Sequence, residues 1–143
     1  MTDHHRKLER MYHDHAPIND FFDPELSISE GASTLELPVS EKLYHPGNAV
    51  HGTAYFKALD DAAFFAANSL VEDVFLLTTQ MNLYLTRPVS EGKMVAHGEV
   101  LHDNPGQYIA EAVLEDDDGN QLARATATFV RSSIELDAEI GYE

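Results

Sequence analysis

The segment HGTAYFKALDDAAFFAANS, residues His51–Ser69, decides the fold of this chain, and a turn of Pro46, Gly47 and Asn48 precedes it. The small residues predict a loop that leads into a helix of about five turns. The first amides of that helix, around Gly52, have no acceptor within the helix and lie at the positive end of its dipole. They can therefore stabilise negative charge on a bound oxygen, which the glycine allows to approach closely.

Two adjacent acids lie in this helix and occupy different faces. At 100° per residue, Asp61 shares a stripe with Lys57, so we interpret Asp61 as the partner of an i,i+4 ion pair with a structural role. Asp60 lies about a quarter-turn away, on a strip that is mostly apolar and has no cationic partner. An acid there is costly unless it is used or hydrogen-bonded. Spacing alone leaves two alternatives open for Asp60, a functional carboxylate or a solvated one at the edge of the strip.

Length and composition limit the classes of protein to be considered. A chain of 143 residues with 43% hydrophobic content fits one domain that buries roughly two-thirds of its unfolded surface. Cysteine is absent, which excludes a disulfide framework, a thiolate nucleophile and a cysteine-containing zinc site. No long uncharged apolar run predicts a membrane span, and the charged N-terminus lacks a signal-peptide core. We expect a cytoplasmic protein without membrane attachment.

The charge balance is strongly acidic. Nine basic residues against 25 acidic ones give a net charge of −16, which argues against nucleic-acid binding because phosphate contacts need clustered Lys and Arg. So acidic a surface with few lysines suggests a salt-tolerant source. Four of the eight histidines lie in the N-terminal segment, at His4, His5, His13 and His15. Their spacing near a terminus does not define a ligand geometry, and we predict no metal site.

The remaining chain predicts one helix and a series of strands. Apolar positions in Asp3–His15 suit a short amphipathic helix packed on the body of the protein. Alternating apolar residues from Leu26 to Val39 predict two strands joined by a turn at Gly31. Four further runs, separated by hairpin-type connections, predict a meander of long antiparallel strands. These runs are Val74–Leu85, Lys93–His102, Gln107–Glu115 and Leu122–Arg131.

The helix after His51 is apolar nearly all round, so we expect it to be buried. The predicted fold is α+β, a curved antiparallel sheet wrapped around one long central helix, with an additional N-terminal helix. The predicted domain organisation is an N-terminal helical segment (1–16), the main domain (17–133) and an acidic tail (134–143). The part of the tail from Asp137 onward is expected to be loose.

The order of elements, the His51-Gly52 pair and an acid nine residues after the histidine together resemble a known family. The chain is similar to hotdog-fold acyl-CoA thioesterases of the phenylacetate-pathway, PaaI-like group, whose loop commonly reads Asn, a few residues, then Val-His-Gly-Gly. The resemblance spans residues 17–131 and selects Asp60 as the functional acid. This sequence departs from the pattern at Thr53, which replaces the second glycine, and at His45, which stands where the family often has asparagine.

The resemblance implies a site for thioester hydrolysis with coenzyme A as part of the substrate and no other cofactor. The Gly52 amide would polarise the thioester carbonyl, and Asp60 would act as base or as nucleophile. Thr78, eighteen residues further on, would position the water or the acid, from a strand face shared with Gln80 and Asn82. Either His45 or Asn48 would orient the water, while His51 would hold the turn rigid.

Several other features follow from the same resemblance. A homodimer, often doubled to a tetramer, is implied, with each site across a subunit interface. Because coenzyme A carries several negative charges, a local basic patch is required. The predicted substrate-binding residues are Thr53, Thr79, Arg87, Lys93 and Arg131.

Two alternative functions stay open. A hotdog dehydratase acting on (3R)-hydroxyacyl thioesters is one, because the histidine, proline and glycine at 45–47 faintly match its loop. The dehydratase motif also includes a glutamate on the helix and a longer proline-glycine run, and this sequence lacks both. A non-catalytic acyl-CoA-binding hotdog module is the other.

Overall fold

A computed structural model describes residues 2–143. Its α-helices are α1 (Asp3–His15), α2 (Asn19–Phe22) and α3 (Gly52–Asn68). Its strands are β1 (Glu25–Ser29), β2 (Ala32–Pro38), β3 (Tyr44–His45), β4 (Ala49–Val50), β5 (Val74–Leu85), β6 (Lys93–Asn104), β7 (Gln107–Glu115) and β8 (Gln121–Glu135). Short 3-10 turns lie at Glu41–Leu43 and Ala138–Ile140. The predicted helices and the long strands are confirmed, and β8 runs four residues beyond its predicted end.

Six strands form one antiparallel sheet in the order β1-β2-β6-β7-β8-β5, and β3 pairs with β4 in a separate small ribbon. The sheet wraps around α3, so the predicted α+β hotdog architecture is confirmed. The helix approaches the sheet closely at Gly98, where a Cβ atom would lie 2.2 Å from the Ala62 carbonyl oxygen. The Ser33 hydroxyl donates to that same oxygen across 2.5 Å. The close approach fixes the depth of α3 in the sheet and thereby the position of its acidic residues.

The two edges of the sheet differ in how their backbone groups are satisfied. Side chains of α1 cover the β1 edge, because the Ile28 amide donates to Glu9 Oε2 (2.7 Å) and the Leu26 amide donates to His13 Nε2 (3.1 Å). The opposite edge is β5, a strand of twelve residues that pairs only with β8. Because an uncovered edge presents unpaired amides and carbonyls, β5 is the edge that remains available for pairing with another chain.

The C-terminal residues differ from the expected loose tail. Strand β8 continues to Glu135, across the predicted domain boundary at 133, and the following residues pack on α1. The Tyr142 hydroxyl lies 2.7 Å from His4 Nδ1, and Arg10 Nε donates to the Glu143 carbonyl across 2.7 Å. Aromatic and polar contacts therefore order this acidic segment. No helix within residues 2–143 combines the length and the apolar character needed to cross a membrane.

Candidate active site

Asp60 lies in the middle of α3 and faces an apolar cleft, which we name the Asp60 cleft. This cleft has a volume of about 450 Å³ and is formed by α1, α3, the start of β5, the end of β8 and the C-terminal segment. The Thr78 hydroxyl donates to Asp60 Oδ1 across 3.0 Å. Burial and the neighbouring Asp61 carboxylate raise the pKa of Asp60 to about 6, against the lowering effect of the Thr78 hydrogen bond. A carboxylate of this pKa is a stronger base than an ordinary aspartate and is still ionised at neutral pH.

Asp61, on a different face of α3 from Asp60, takes part in an ion pair and a hydrogen bond. Lys57 Nζ lies 2.7 Å from Asp61 Oδ2, which confirms the predicted i,i+4 ion pair, and the Tyr12 hydroxyl donates to the same oxygen across 2.6 Å. Burial raises the pKa of Asp61, while the ammonium group and the hydroxyl oppose that rise. Sequence reasoning missed Tyr12 as a neighbour of the acids, since its only signal was an apolar position in the amphipathic α1.

A β-bulge places Thr78 opposite Asp60. Thr78 pairs with Phe129 while Gln80 pairs with Thr128, so Thr79 is the extra residue in β5. The bulge reverses the alternation of faces. Thr78 points towards α3, whereas Gln80 and the residues that alternate with it face outward and are exposed. The expectation that Thr78 shares a face with Gln80 and Asn82 is therefore wrong. The Thr79 hydroxyl donates to the Thr128 carbonyl across 3.2 Å, beside the bulge.

The beginning of α3 forms a second cleft, which we name the Gly52 cleft. The His51 side chain caps the helix, because Nδ1 accepts a hydrogen bond from the Thr53 amide across 3.0 Å. This contact matches the predicted role of His51 in holding the turn. The Gly52 amide, in contrast, has no acceptor among the hydrogen bonds found within residues 2–143. The cleft has a volume of about 410 Å³, and Arg87 and His45 also line it.

Gly52 and Asp60 lie too far apart to act on one carbonyl group within one chain. Eight residues of α-helix separate them, which corresponds to about 12 Å along the helix axis. His45 lies with Gly52 rather than with Asp60, and its Nδ1 accepts a hydrogen bond from the Gly47 amide across 2.9 Å. Asn48 adopts a left-handed backbone conformation (φ 64°) in the turn. Gly52 with His45 and Asp60 with Thr78 therefore form two separate groups, which lie against different parts of β5.

The three predicted cationic contacts differ in their partners. Lys93 forms an ion pair with Glu36, and Arg131 Nη2 lies 2.5 Å from Asp73 Oδ2. Arg87 has no ion-pair partner in the described part of the chain, and its carbonyl accepts a hydrogen bond from the Tyr55 hydroxyl across 2.6 Å. Arg87 lines the Gly52 cleft, and of the three cations it is the one that forms no ion pair within residues 2–143.

Comparison with known proteins supports the fold described above. Residues 47–122 match the family model of the thioesterase superfamily. A Saccharolobus solfataricus protein described as a putative esterase is 25% identical over 103 residues, which is 72% of this chain and 69% of that protein.

Solved structures show the same fold at low sequence identity. The Escherichia coli PaaI protein, from the phenylacetic acid degradation operon, is 16% identical, with a TM-score of 0.84 over 93% of this chain and 96% of its own. A mutant thioesterase from Pseudomonas aeruginosa is 19% identical, with a TM-score of 0.78 over 87% of this chain and 94% of its own. The family match supports thioester hydrolysis in general. The chain belongs to the thioesterase superfamily and has the hotdog fold.

Proposed function

We propose that this protein hydrolyses acyl- or aryl-CoA thioesters, with Asp60 as the base or nucleophile. The observation that carries the proposal is the Asp60–Thr78 pair, a carboxylate with a raised pKa in an apolar cleft. Such a carboxylate is largely ionised at neutral pH and can take a proton from water or attack the acyl carbon itself. The apolar surroundings would hold the acyl group against it.

The second half of the site comes, in this proposal, from the partner subunit of a homodimer. The two groups of site residues lie against different parts of β5, because Leu85 lies against Gly52 and Thr78 lies against Asp60. Suppose that two β5 strands pair in an antiparallel ladder in which Met81 of one chain lies opposite Asn82 of the other. Thr78 of one chain then lies opposite Leu85 of its partner. This register brings a Gly52 amide and an Asp60 carboxylate together twice per dimer. The open β5 edge supports such pairing. Association of two such dimers would give the tetramer that the family resemblance implies.

The reaction would proceed by attack on the thioester carbonyl carbon. In the general-base form, Asp60 takes a proton from water and the resulting hydroxide forms the new carbon–oxygen bond. The carbonyl oxygen then carries negative charge, which the Gly52 amide and the positive end of the α3 dipole stabilise. Collapse of this intermediate breaks the carbon–sulfur bond, and the thiolate of coenzyme A receives the proton. In the nucleophilic form, an Asp60 oxygen bonds to the carbonyl carbon, and the carbon–sulfur bond breaks to release the thiolate of coenzyme A and leave a mixed anhydride. Water then hydrolyses the anhydride, which returns the Asp60 carboxylate, releases the acid and supplies the proton that the thiolate takes up.

Arg87 is our candidate for a coenzyme A contact. It lies in the Gly52 cleft, where the part of the substrate beyond the sulfur atom would leave the site. A cation at this position is valuable because the protein as a whole has a net charge of −16 and would repel an anionic substrate. Lys93 and Arg131, which already have acidic partners, would contribute less.

The decisive experiment removes one amide. In a Gly52→Pro variant the N–H group disappears, and proline is well tolerated at the first position of a helix. The preceding His51 already has the extended backbone that proline requires (φ −66°, ψ 145°). Gly52→Ala is the matched control, because both variants add a Cβ atom that contacts Leu85 while only Ala retains the amide. Free-thiol release from acyl-CoA should fall about 100- to 1000-fold in kcat for Gly52→Pro and much less for Gly52→Ala.

A heterodimer tests whether the site is shared. One subunit would carry Gly52→Pro and the other Asp60→Asn, each purified by its own tag. If the site combines Gly52 of one chain with Asp60 of the other, one of the two sites is intact and half the wild-type activity returns. If both groups act within one chain, the heterodimer is inactive.

Other reaction classes give different results with the same substrates. Hydration of crotonyl-CoA, followed by absorbance, would support the dehydratase. Tight binding of acyl-CoA without thiol release would support a non-catalytic module, and either result would contradict the proposed hydrolysis.

A further inference from the structure

One wall of the Asp60 cleft comes from outside the residues that match the family model. The match to the family model covers residues 47–122. Met11 and Tyr12 of α1, together with Ile134 and Ile140 near the C-terminus, line the cleft from segments on either side of that region. The shape of the cleft is therefore set in part by segments that flank the family match.

This wall is fixed in place. The Tyr12 hydroxyl binds Asp61, and the Tyr12 carbonyl accepts a hydrogen bond from Asn19 Nδ2 across 2.8 Å. Lys57 Nζ donates to Asn19 Oδ1 across 2.7 Å and so connects α3 to the same network. At the other end of α1, His4 Nε2 lies 2.9 Å from the Asn68 carbonyl. Helix α1 is thus held at both ends against α3, as a rigid wall requires.

The lining of the cleft favours an uncharged, apolar occupant. Phe64, Phe65 and Phe75 form its inner surface, and the rings of Phe64 and Phe75 lie 4.9 Å apart between centroids. Two lining residues can carry a positive charge, His15 at the end of α1 and Lys57, which is already paired with Asp61. A carboxylate on the acyl group would be desolvated among these apolar side chains, in the same cleft as the Asp60 carboxylate, and both effects disfavour its charged form. From Asp60 to Phe65 the cleft follows α3 for about 7.5 Å.

We propose that the Asp60 cleft binds an uncharged apolar acyl group and that Met11 and Ile140 set the length it accepts. This inference rests on the proposed thioesterase function and adds the class of acyl group and the residues that select it. The acyl carbonyl lies at Asp60, and the chain extends along α3 towards Phe75 and the C-terminal segment. Met11 and Ile140 are specificity residues and take no part in the chemistry.

The test is the acyl-length profile of kcat/KM. Acetyl-, butyryl-, hexanoyl-, octanoyl-, decanoyl- and succinyl-CoA are assayed by free-thiol release with the wild type, Met11→Ala and Ile140→Ala. In the wild type, kcat/KM should rise about fourfold for each methylene that the cleft accommodates and fall beyond the limit. Both alanine variants should move the optimum to a longer chain. Succinyl-CoA should be at least tenfold poorer than butyryl-CoA.

Leu8→Ala is the matched control. Leu8 is a fully buried residue of α1 that does not line the cleft, so its truncation removes apolar contacts of the helix without enlarging the site. Its optimum should equal that of the wild type. Ile140→Trp, which fills the cleft, should move the optimum to a shorter acyl chain. This variant provides a second test of the length limit if Met11→Ala folds poorly. An unchanged optimum in both Ile140 variants would overturn this inference alone, whereas no hydrolysis of any acyl-CoA would overturn the proposed function as well.

Discussion

Replacing Asp60 with Asn should abolish turnover and at the same time stabilise the folded protein at neutral pH. The pKa of this carboxyl rises from 3.8 to about 6 on folding, which corresponds to about 3 kcal/mol of differential stability between its two protonation states. Asn is isosteric and uncharged, and its Oδ1 can still accept the Thr78 hydrogen bond. It therefore removes the cost of burying a negative charge and leaves the local contacts in place.

The sign of the effect follows from the direction of the pKa change. Because the pKa of Asp60 is higher in the folded state, the free energy of unfolding of the wild type is highest below pH about 4, where the carboxyl is protonated in both states. It decreases as the pH rises through about 6, where the carboxyl ionises in the folded state as well. The free energy of unfolding of Asp60→Asn minus that of the wild type should be near zero at pH 3.5 and about 3 kcal/mol above pH 7. For a chain of this length, that difference corresponds to a rise in Tm of about 10 °C.

Denaturant and thermal unfolding at several pH values, at a fixed protein concentration, measure this difference directly. Asp61→Asn is the matched control of opposite sign, because it leaves the Lys57 ammonium without its carboxylate in a buried site. It should destabilise the protein by about 3 kcal/mol while leaving kcat largely intact. A wild type as stable as Asp60→Asn at pH 8 would refute the assignment of Asp60 as a buried, destabilised carboxylate.

Three further predictions address the rest of the site. Thr78→Val removes the hydroxyl that lowers the pKa of Asp60, so the acid limb of the pH profile of kcat should move to higher pH. At pH 6, kcat should fall up to about tenfold. An unshifted acid limb would contradict the role of Thr78. Tyr84→Asp places a charge on the open β5 edge, where Tyr84 is 74% exposed, and should convert a sedimenting dimer to monomer with loss of activity. Arg87→Ala should raise KM for acyl-CoA about tenfold with little change in kcat, and the difference in KM between variant and wild type should shrink at high salt. Equal KM values at low salt would exclude the contact between Arg87 and coenzyme A.

Local patterns predicted most elements of the fold. The apolar character of α3 and the alternation in the strands depend on neighbours a few residues apart, so the helices Asp3–His15 and Gly52–Asn68 were predicted within one residue. The Lys57–Asp61 pair was predicted for the same reason, since i,i+4 side chains meet on one helix. The face of Thr78 was predicted wrongly, because a single inserted residue at Thr79 reverses the alternation without any change in composition.

The sequence by itself determined the order of elements and the buried central helix, because both follow from local periodicity. Helix periodicity also placed Asp60 and Asp61 on different faces, while the choice of Asp60 as the functional acid rests on the family resemblance and stays a prediction. Only the tertiary structure decided which groups surround the two acids. Tyr12 meets Asp61 and Ile140 lines the Asp60 cleft through contacts between segments far apart in the chain, which no local pattern records. The same is true of the two sheet edges, of which α1 covers one and leaves β5 open. The physical reason is that pairing and packing between distant segments depend on how the whole chain folds back on itself.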